Sequence, residues 1–152
     1  MAEVVTALMA VCFVGIDWAS EDHLVHAMNP AGAKVKAFTI THTRDGFERL
    51  VKQLAQLGPA EQVPVAIERP DGRLVDVLLE AGHPVVPVHP NAIKAWREAE
   101  ITSGAKSDAG DAEVIAEYLR LRQHKLRVLL PYSDATRALR AVVRAREDLV
   151  TQ

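Results

Sequence analysis

The segment Cys12–Ser20 reads C-F-V-G-I-D-W-A-S, an apolar run that stops abruptly at Asp17. Its length and β-branched content are those of a buried strand. A lone carboxylate at the end of such a strand is costly to bury unless something positive meets it. Asp17 therefore either points into solvent at the strand's tip or helps to hold a metal ion. Two other stretches offer acids that would complete a metal site. In Ile67-Glu68-Arg69-Pro70 a second apolar run ends in a carboxylate, and Lys106-Ser107-Asp108-Ala109-Gly110-Asp111 supplies two more.

The order of elements follows from periodicity and turn signals. Cys12–Asp17 is a first strand, His23–Met28 a second and Lys34–Ile40 a third, separated by the polar turn Ser20–Asp22 and by Asn29-Pro30-Ala31-Gly32. Strands joined by such short turns form an antiparallel meander. The period then changes. Thr43 is an N-cap candidate, Phe47, Leu50, Val51, Leu54 and Leu57 recur at helical spacing, and Gly58-Pro59 stops the helix. Gln62–Ile67 reads as a buried strand ending at Glu68. Leu74, Val75, Leu78 and Leu79 mark a second helix stopped by Gly82, Pro84–Val88 is another strand, and Asn91–Glu98 is a short helix. Glu100–Lys106 has no periodicity and is expected to be a mobile loop. Asp108–Arg122 is the next helix, and Leu126–Leu130 a short extended piece. From Ser133 onward Leu139, Val142, Val143, Leu149 and Val150 form a narrow apolar stripe with no stop signal before Gln152. The expectation is a chain cut from something longer, or one ending on a helix that needs a partner.

This order predicts an α/β fold: a mixed five-stranded sheet flanked by helices, ending in a long C-terminal helix. A right-handed crossover through the first helix puts the fourth strand parallel and adjacent to the first, so that Asp17 and Glu68 lie side by side. Residues 1–10 form a leader, 11–130 the folded domain and 131–152 the start of the C-terminal helix.

Composition sets the outer limits. The 152 residues, 49% apolar and 25% charged, are enough for one soluble domain with its own core. Net charge is −2, so bulk charge does not announce a nucleic-acid binder. The charge is uneven, however. Tyr118–Gln152 carries Arg120, Arg122, Lys125, Arg127, Arg137, Arg140, Arg144 and Arg146 against Asp134, Glu147 and Asp148. That asymmetry fits a basic contact surface beside an acidic site, and fits a solvated helix face equally well. Lys106, Arg120, Arg122, Arg140 and Arg144 are the candidate nucleic-acid contacts. Cys12, the only cysteine, excludes an intramolecular disulfide and a cysteine-rich zinc site. Val4–Val14 is apolar but has no basic segment before it and is too short to span a membrane as a helix. The chain is read as cytoplasmic, without a membrane partner.

Asp108 and Asp111 are three apart, which places them on one face of a helix. Four carboxylates brought together cannot stay ionised without cations, and hard divalent ions with oxygen ligands, Mg²⁺ or Mn²⁺, are the natural answer. Two such ions about 4 Å apart stabilise the attacking and leaving oxygens in phosphodiester cleavage. Each acid also has a plainer reading. Asp108 serves as an N-cap, with Asp111 favoured by the helix dipole. Glu68 belongs to turn chemistry with Arg69. Asp17 is the hardest to explain in this way, because the run before it is so apolar. The histidines His23, His26, His42, His83, His89 and His124 show no metal-ligand spacing; His89, after a buried strand, is a candidate to line the site. Trp18 and Trp96 are read as packing residues. No phosphate-binding loop, dinucleotide fingerprint or nucleophile elbow is present.

With G-I-D-W-A on the first strand, A-I-E-R-P on the fourth and K-S-D-A-G-D-A opening a later helix, the chain resembles the DEDD transposases. These are insertion-sequence recombinases related to the pilin-gene invertase, with a RuvC-like N-terminal domain. The resemblance implies a ribonuclease-H-like fold and a Mg²⁺-dependent tetrad at Asp17, Glu68, Asp108 and Asp111. It implies DNA strand cleavage and exchange during transposition, with DNA and a guide RNA as partners. V-R-A-R-E-D-L-V looks like the start of the family's coiled coil and implies a homo-oligomer through the C-terminal helix. The family's C-terminal domain, with its serine implicated in attack on DNA, is expected to be absent. Ser20, Ser103, Ser107 and Ser133 therefore do not inherit that role. The competing readings are a Holliday-junction-type endonuclease and a non-catalytic nucleic-acid- or protein-binding module of the same fold.

Overall fold

The computed structural model describes residues 9–18, 21–68, 72–102, 110–130, 139, 142–143 and 145–149. Its elements are β1 (Phe13–Asp17), β2 (Asp22–Met28), β3 (Lys34–Thr41), α1 (Arg44–Ala55), β4 (Val65–Glu68), α2 (Gly72–Ala81), β5 (Val85–Val88), α3 (Pro90–Thr102) and α4 (Asp111–Arg122). The five strands form one sheet in the order β3-β2-β1-β4-β5. β1 pairs antiparallel with β2 and parallel with β4, so the meander and the crossover meet on the same strand. β2 pairs antiparallel with β3, and β4 parallel with β5.

Alternation along the strands sorts side chains between two apolar layers. Val14, Ile16, Val65 and Ile67 turn to one face and pack with Phe47, Leu50 and Leu54 of α1 and Leu74 and Leu78 of α2. Phe13, Ala66, Val86 and Val88 turn to the other, against Ile93 of α3 and Val114, Ile115, Ala116 and Leu119 of α4. Helices thus cover both faces, as the parallel half of the sheet requires. Each fully buried aliphatic side chain contributes about 1.5–3 kcal/mol through its removal from water.

Local chemistry sets the helix ends. Thr43 caps α1 as expected, its Oγ1 accepting the Gly46 N–H at 3.0 Å. α3 starts one residue before the expected span and runs through Thr102, so Glu100–Thr102 is the last turn of a helix rather than part of a loop. An apolar stripe is not needed to carry a helix for one more turn. α4 begins at Asp111 with Gly110 as its N-cap, three residues later than expected, and no side chain caps it. In the expected extended piece at Leu126–Leu130, Leu129 forms an antiparallel bridge with Val85, with two hydrogen bonds of 3.0 and 2.7 Å. Residues 142–143 and 145–149 are helical, with Val142 and Leu149 exposed. The expected long C-terminal helix otherwise lies outside the described residues, as do Ser103–Lys106 of the expected loop. No helix among the described residues is long and apolar enough to cross a membrane.

Candidate carboxylate site

β1 and β4 both end in an acid, and the parallel register pairs Ile16 with Ile67. Asp17 and Glu68, the next residue on each strand, therefore occupy adjoining strand ends. Alternation gives them the same face, the one that carries Gly15 and Ala66. Both are half-buried, while the residues before them are fully buried.

α4 brings the third acid. It lies directly on β1 because Gly15 has no side chain. A Cβ built at Gly15 would stand 2.3 Å from the Ala112 carbonyl oxygen and 2.4 Å from the Ala116 nitrogen. Both are backbone atoms, so no side chain could swing aside to make room. A glycine inside a strand commonly marks such a close backbone approach. Here it lowers the first turn of α4, with Asp111 at its start, towards the tip of β1.

The electrostatics of Asp17 record the convergence. Its carboxyl is raised above the usual 3.8, first by burial and then by the negative charges of Asp111 and Glu68, while Arg97 acts in the opposite direction. Desolvation and like charge both disfavour the ionised form. Arg97, on α3, forms an ion pair with Asp111. The sequence patterns above assign no role to Arg97 or Gly15. Glycine within an apolar run was a usable signal for the second; nothing local marks the first.

The tip of β1 is anchored on the opposite face. Trp18 stacks on His23 with ring centroids 5.8 Å apart, and His23 Nε2 lies 2.8 Å from His42 Nδ1. His42 in turn meets Phe47 of α1 edge-on at 5.1 Å. His23 is fully buried, so its role is structural, and Trp18 packs against the core as expected. His89 is engaged with its own helix. It is exposed, and its Nδ1 accepts the Asn91 N–H at 3.0 Å, capping the first turn of α3.

Of the expected tetrad, Asp17, Glu68 and Asp111 are brought to one end of the sheet, and Asp108 lies outside the described residues. So do Lys106, Arg140 and Arg144. The other two basic candidates are engaged within the fold. Arg120 donates from Nη2 to Glu117 at 2.8 Å and from Nη1 to the Pro30 carbonyl at 3.3 Å. The Arg122 guanidinium sits 5.9 Å from the ring centres of both Trp96 and Tyr118. Among the described residues, no three His, Cys, Asp or Glu side chains stand together in an arrangement that could hold a metal ion. The donor set itself is suited to one: Mg²⁺ takes hard oxygen ligands, keeps several waters and needs only one or two carboxylates. A cavity of about 1000 Å³ lies elsewhere, lined by residues of α1 and α2 such as Phe47, Val51, Arg73 and Val77, and includes none of the three acids.

Comparison with known proteins gives a consistent picture. A family model described as "Transposase", of the DEDD type named for IS110, matches residues 14–152. A protein of Sinorhizobium fredii named as a transposase is 33% identical over 141 residues, 91% of this chain. The mini-circle protein of Streptomyces coelicolor, named as the transposase for IS117, is 36% identical over 140 residues, again 91% of the chain. The chain spans only 39% and 34% of the lengths of these two relatives. Among solved structures, Thermus thermophilus RuvC in complex with a Holliday-junction substrate aligns with a TM-score of 0.53 at 16% identity, covering 78% of this chain and 99% of that one. A second Thermus thermophilus RuvC structure gives 0.50 at 18% identity over the same shares. At these identities the likeness establishes the RuvC-like, ribonuclease-H-like fold.

Proposed function

This chain belongs to the DEDD transposase family of the IS110 type, and from that premise we propose that it is the metal-binding nuclease domain of a DNA transposase. Its task is divalent-metal-dependent cleavage and exchange of DNA strands. The observation that carries this reading is the crowding of Asp17 by Glu68 on the adjoining strand end and by Asp111 at the start of the helix packed onto Gly15. Such crowding is unfavourable in the chain by itself and becomes favourable when a hard cation is shared.

Asp17 and Glu68 supply oxygens from rigid strand ends, and Asp111 supplies them from the first turn of a helix held down on Gly15. Asp108 completes the set in this reading. A bound Mg²⁺ or Mn²⁺ would supply Lewis-acid activation of the attacking oxygen and stabilisation of the leaving one. The chain's own contribution is orientation. β-sheet hydrogen bonds fix Asp17 against Glu68, and the Trp18–His23–His42–Phe47 chain of contacts fixes the strand tip. The reading takes DNA as substrate and an RNA guide as partner. Lys106, Arg140 and Arg144 serve as phosphate contacts, the C-terminal helix joins copies of the protein, and the cytoplasm is the working compartment. The chain spans 39% and 34% of the lengths of its two relatives, and the complete reaction is proposed only for proteins of that length.

Calorimetric titration of Mn²⁺ into the chain and into Asp17→Asn tests the proposal. Saturable binding by the parent alone is expected, with an unchanged circular dichroism spectrum. Equal binding by Asp17→Asn would sink the assignment of the acids. Binding by neither would favour the other reading, a non-catalytic module of the same fold, for which the Arg97–Asp111 ion pair is the supporting observation.

A further inference from the structure

Arg97 is a positive group placed among the acids that a divalent ion would use. It reaches Asp111 from α3, and the two side chains are paired at 31% and 54% exposure respectively. An arginine side chain is a cation with five fixed N–H donors. Three carboxylates with one guanidinium carry a net charge of −2 rather than −3. Arg97 thus relieves part of the repulsion at the strand ends while no metal is bound. It also pairs with a carboxylate oxygen of Asp111, one of those a hard cation at this end of the sheet would compete for.

We infer that Arg97 is a built-in counter-ion of the carboxylate site, and that a divalent ion displaces it from Asp111 on binding. This inference rests on the metal-binding reading above. Two cations compete for one carboxylate oxygen, and the doubly charged one wins once its concentration is high enough. The cost of separating Arg97 from Asp111 is then subtracted from the apparent metal affinity. α3 is held against α4 by apolar contacts as well. Trp96, the neighbour of Arg97 on α3, meets Tyr118 of α4 edge-on at 5.6 Å, and Ile93 is buried in the same apolar layer. These apolar contacts of α3 with α4 do not run through the guanidinium.

The closing experiment is Mn²⁺ calorimetry on the parent, Arg97→Gln, Arg97→Lys and Asp17→Asn at low and high ionic strength. Arg97→Gln is expected to bind about fivefold more tightly than the parent, the size set by a half-exposed ion pair. Salt should narrow the gap, because it screens the competing pair. Arg97→Lys, which keeps the charge, should stay near the parent. A residue with a merely structural role would weaken binding or leave it unchanged when replaced. Unchanged or weaker binding by Arg97→Gln, with binding lost in Asp17→Asn, overturns the inference and leaves the metal site standing. Parent-like binding by Asp17→Asn, or no binding by any of the four, overturns the metal reading and the inference with it. A second measurement needs no variant. Saturating Mg²⁺ should move the Arg97 Nε–H resonance of the ¹⁵N-labelled parent, and an unmoved resonance overturns the displacement.

Discussion

On the α1 and α2 side of the sheet, β1 presents Val14 and Ile16, both fully buried among large aliphatic side chains. On the α4 side it presents Phe13, Gly15 and Asp17, and the helix backbone comes into direct contact with the strand. Neighbouring residues of one five-residue strand thus meet opposite demands. The first face gains stability from volume. The second gives up volume at Gly15, and the gain is position: α4 lies low enough for Asp111 to act on the Asp17 carboxyl. Sheet and helix are packed on both faces, but only the thin face ends in charge.

Gly15→Ala is the sharpest way to break this comparison. The added methyl meets two backbone atoms of α4, so the helix must lift. Overpacking of this kind costs about 3 kcal/mol, and the lift carries Asp111 away from Asp17. Loss of stability in urea and loss of Mn²⁺ binding in calorimetry are expected together. Leu54→Ala is the control on the opposite face. Leu54 is fully buried, and its truncation costs roughly 3 kcal/mol through lost burial and the cavity left behind. Mn²⁺ affinity should survive under conditions where the variant stays folded. If both variants lose metal binding equally, the faces are not functionally distinct and general loosening explains the result.

Much of this division is legible in the sequence, and the limits are physical. The strand and helix order can be read because periods of two and of three to four residues are local properties. The adjacency of Asp17 and Glu68 can be read because a short strand–helix–strand connection leaves few ways to place β4. Arg97 is another matter. Its pairing with Asp111 depends on the angle at which α3 meets α4, and that angle is set by Trp96 against Tyr118 and by Ile93 in the core. No residue spacing along the chain records it. The start of α4 differs from the expected one for a related reason: Asp108 has the chemistry of an N-cap, but Gly110 holds that position and leaves the cap without a side-chain bond. Polar residues before a helix narrow down its start without fixing it.

A smaller effect separates the charge at the thin face from the packing around it. Asp17→Asn removes one of the mutually repelling carboxylates without changing shape. In the absence of metal, its unfolding free energy should rise slightly, by no more than about 1 kcal/mol once solvent screening is counted. Adding Mn²⁺ should stabilise the parent and not the variant, since a ligand that binds only the folded state shifts unfolding by mass action. A destabilised Asp17→Asn would mean that the carboxylate is held by favourable contacts rather than crowded by unfavourable ones.

The smallest effect at neutral pH is the contribution of buried histidine, and its sign differs from that of Asp17. His83 is buried, with Nδ1 at 2.9 Å from the Val63 carbonyl, and burial holds its ring below the ordinary value of 6.5. His26 is shifted the same way, chiefly by burial. In both, the unfolded chain takes up the proton more readily than the folded one. Their contribution to stability is complete above pH 6.5 and is lost as pH falls below it. The limiting slope is about 1.4 kcal/mol per pH unit for each proton. Asp17 runs the other way. Its raised value means that the folded state binds the proton more readily, so the penalty for its charge at neutral pH disappears as the solution approaches pH 3.8. Urea unfolding from pH 7 to 4 should therefore fall first and flatten later. His83→Gln, with an amide that can still donate to Val63, should make the first limb shallower and leave the later one alone, whereas Asp17→Asn should leave the first limb alone and remove the later flattening. If His83→Gln leaves the first limb unchanged, His83 is not a ring kept neutral by its burial, and the acid sensitivity belongs to His26 on the thin face, beside the charges of Glu113 and Glu117.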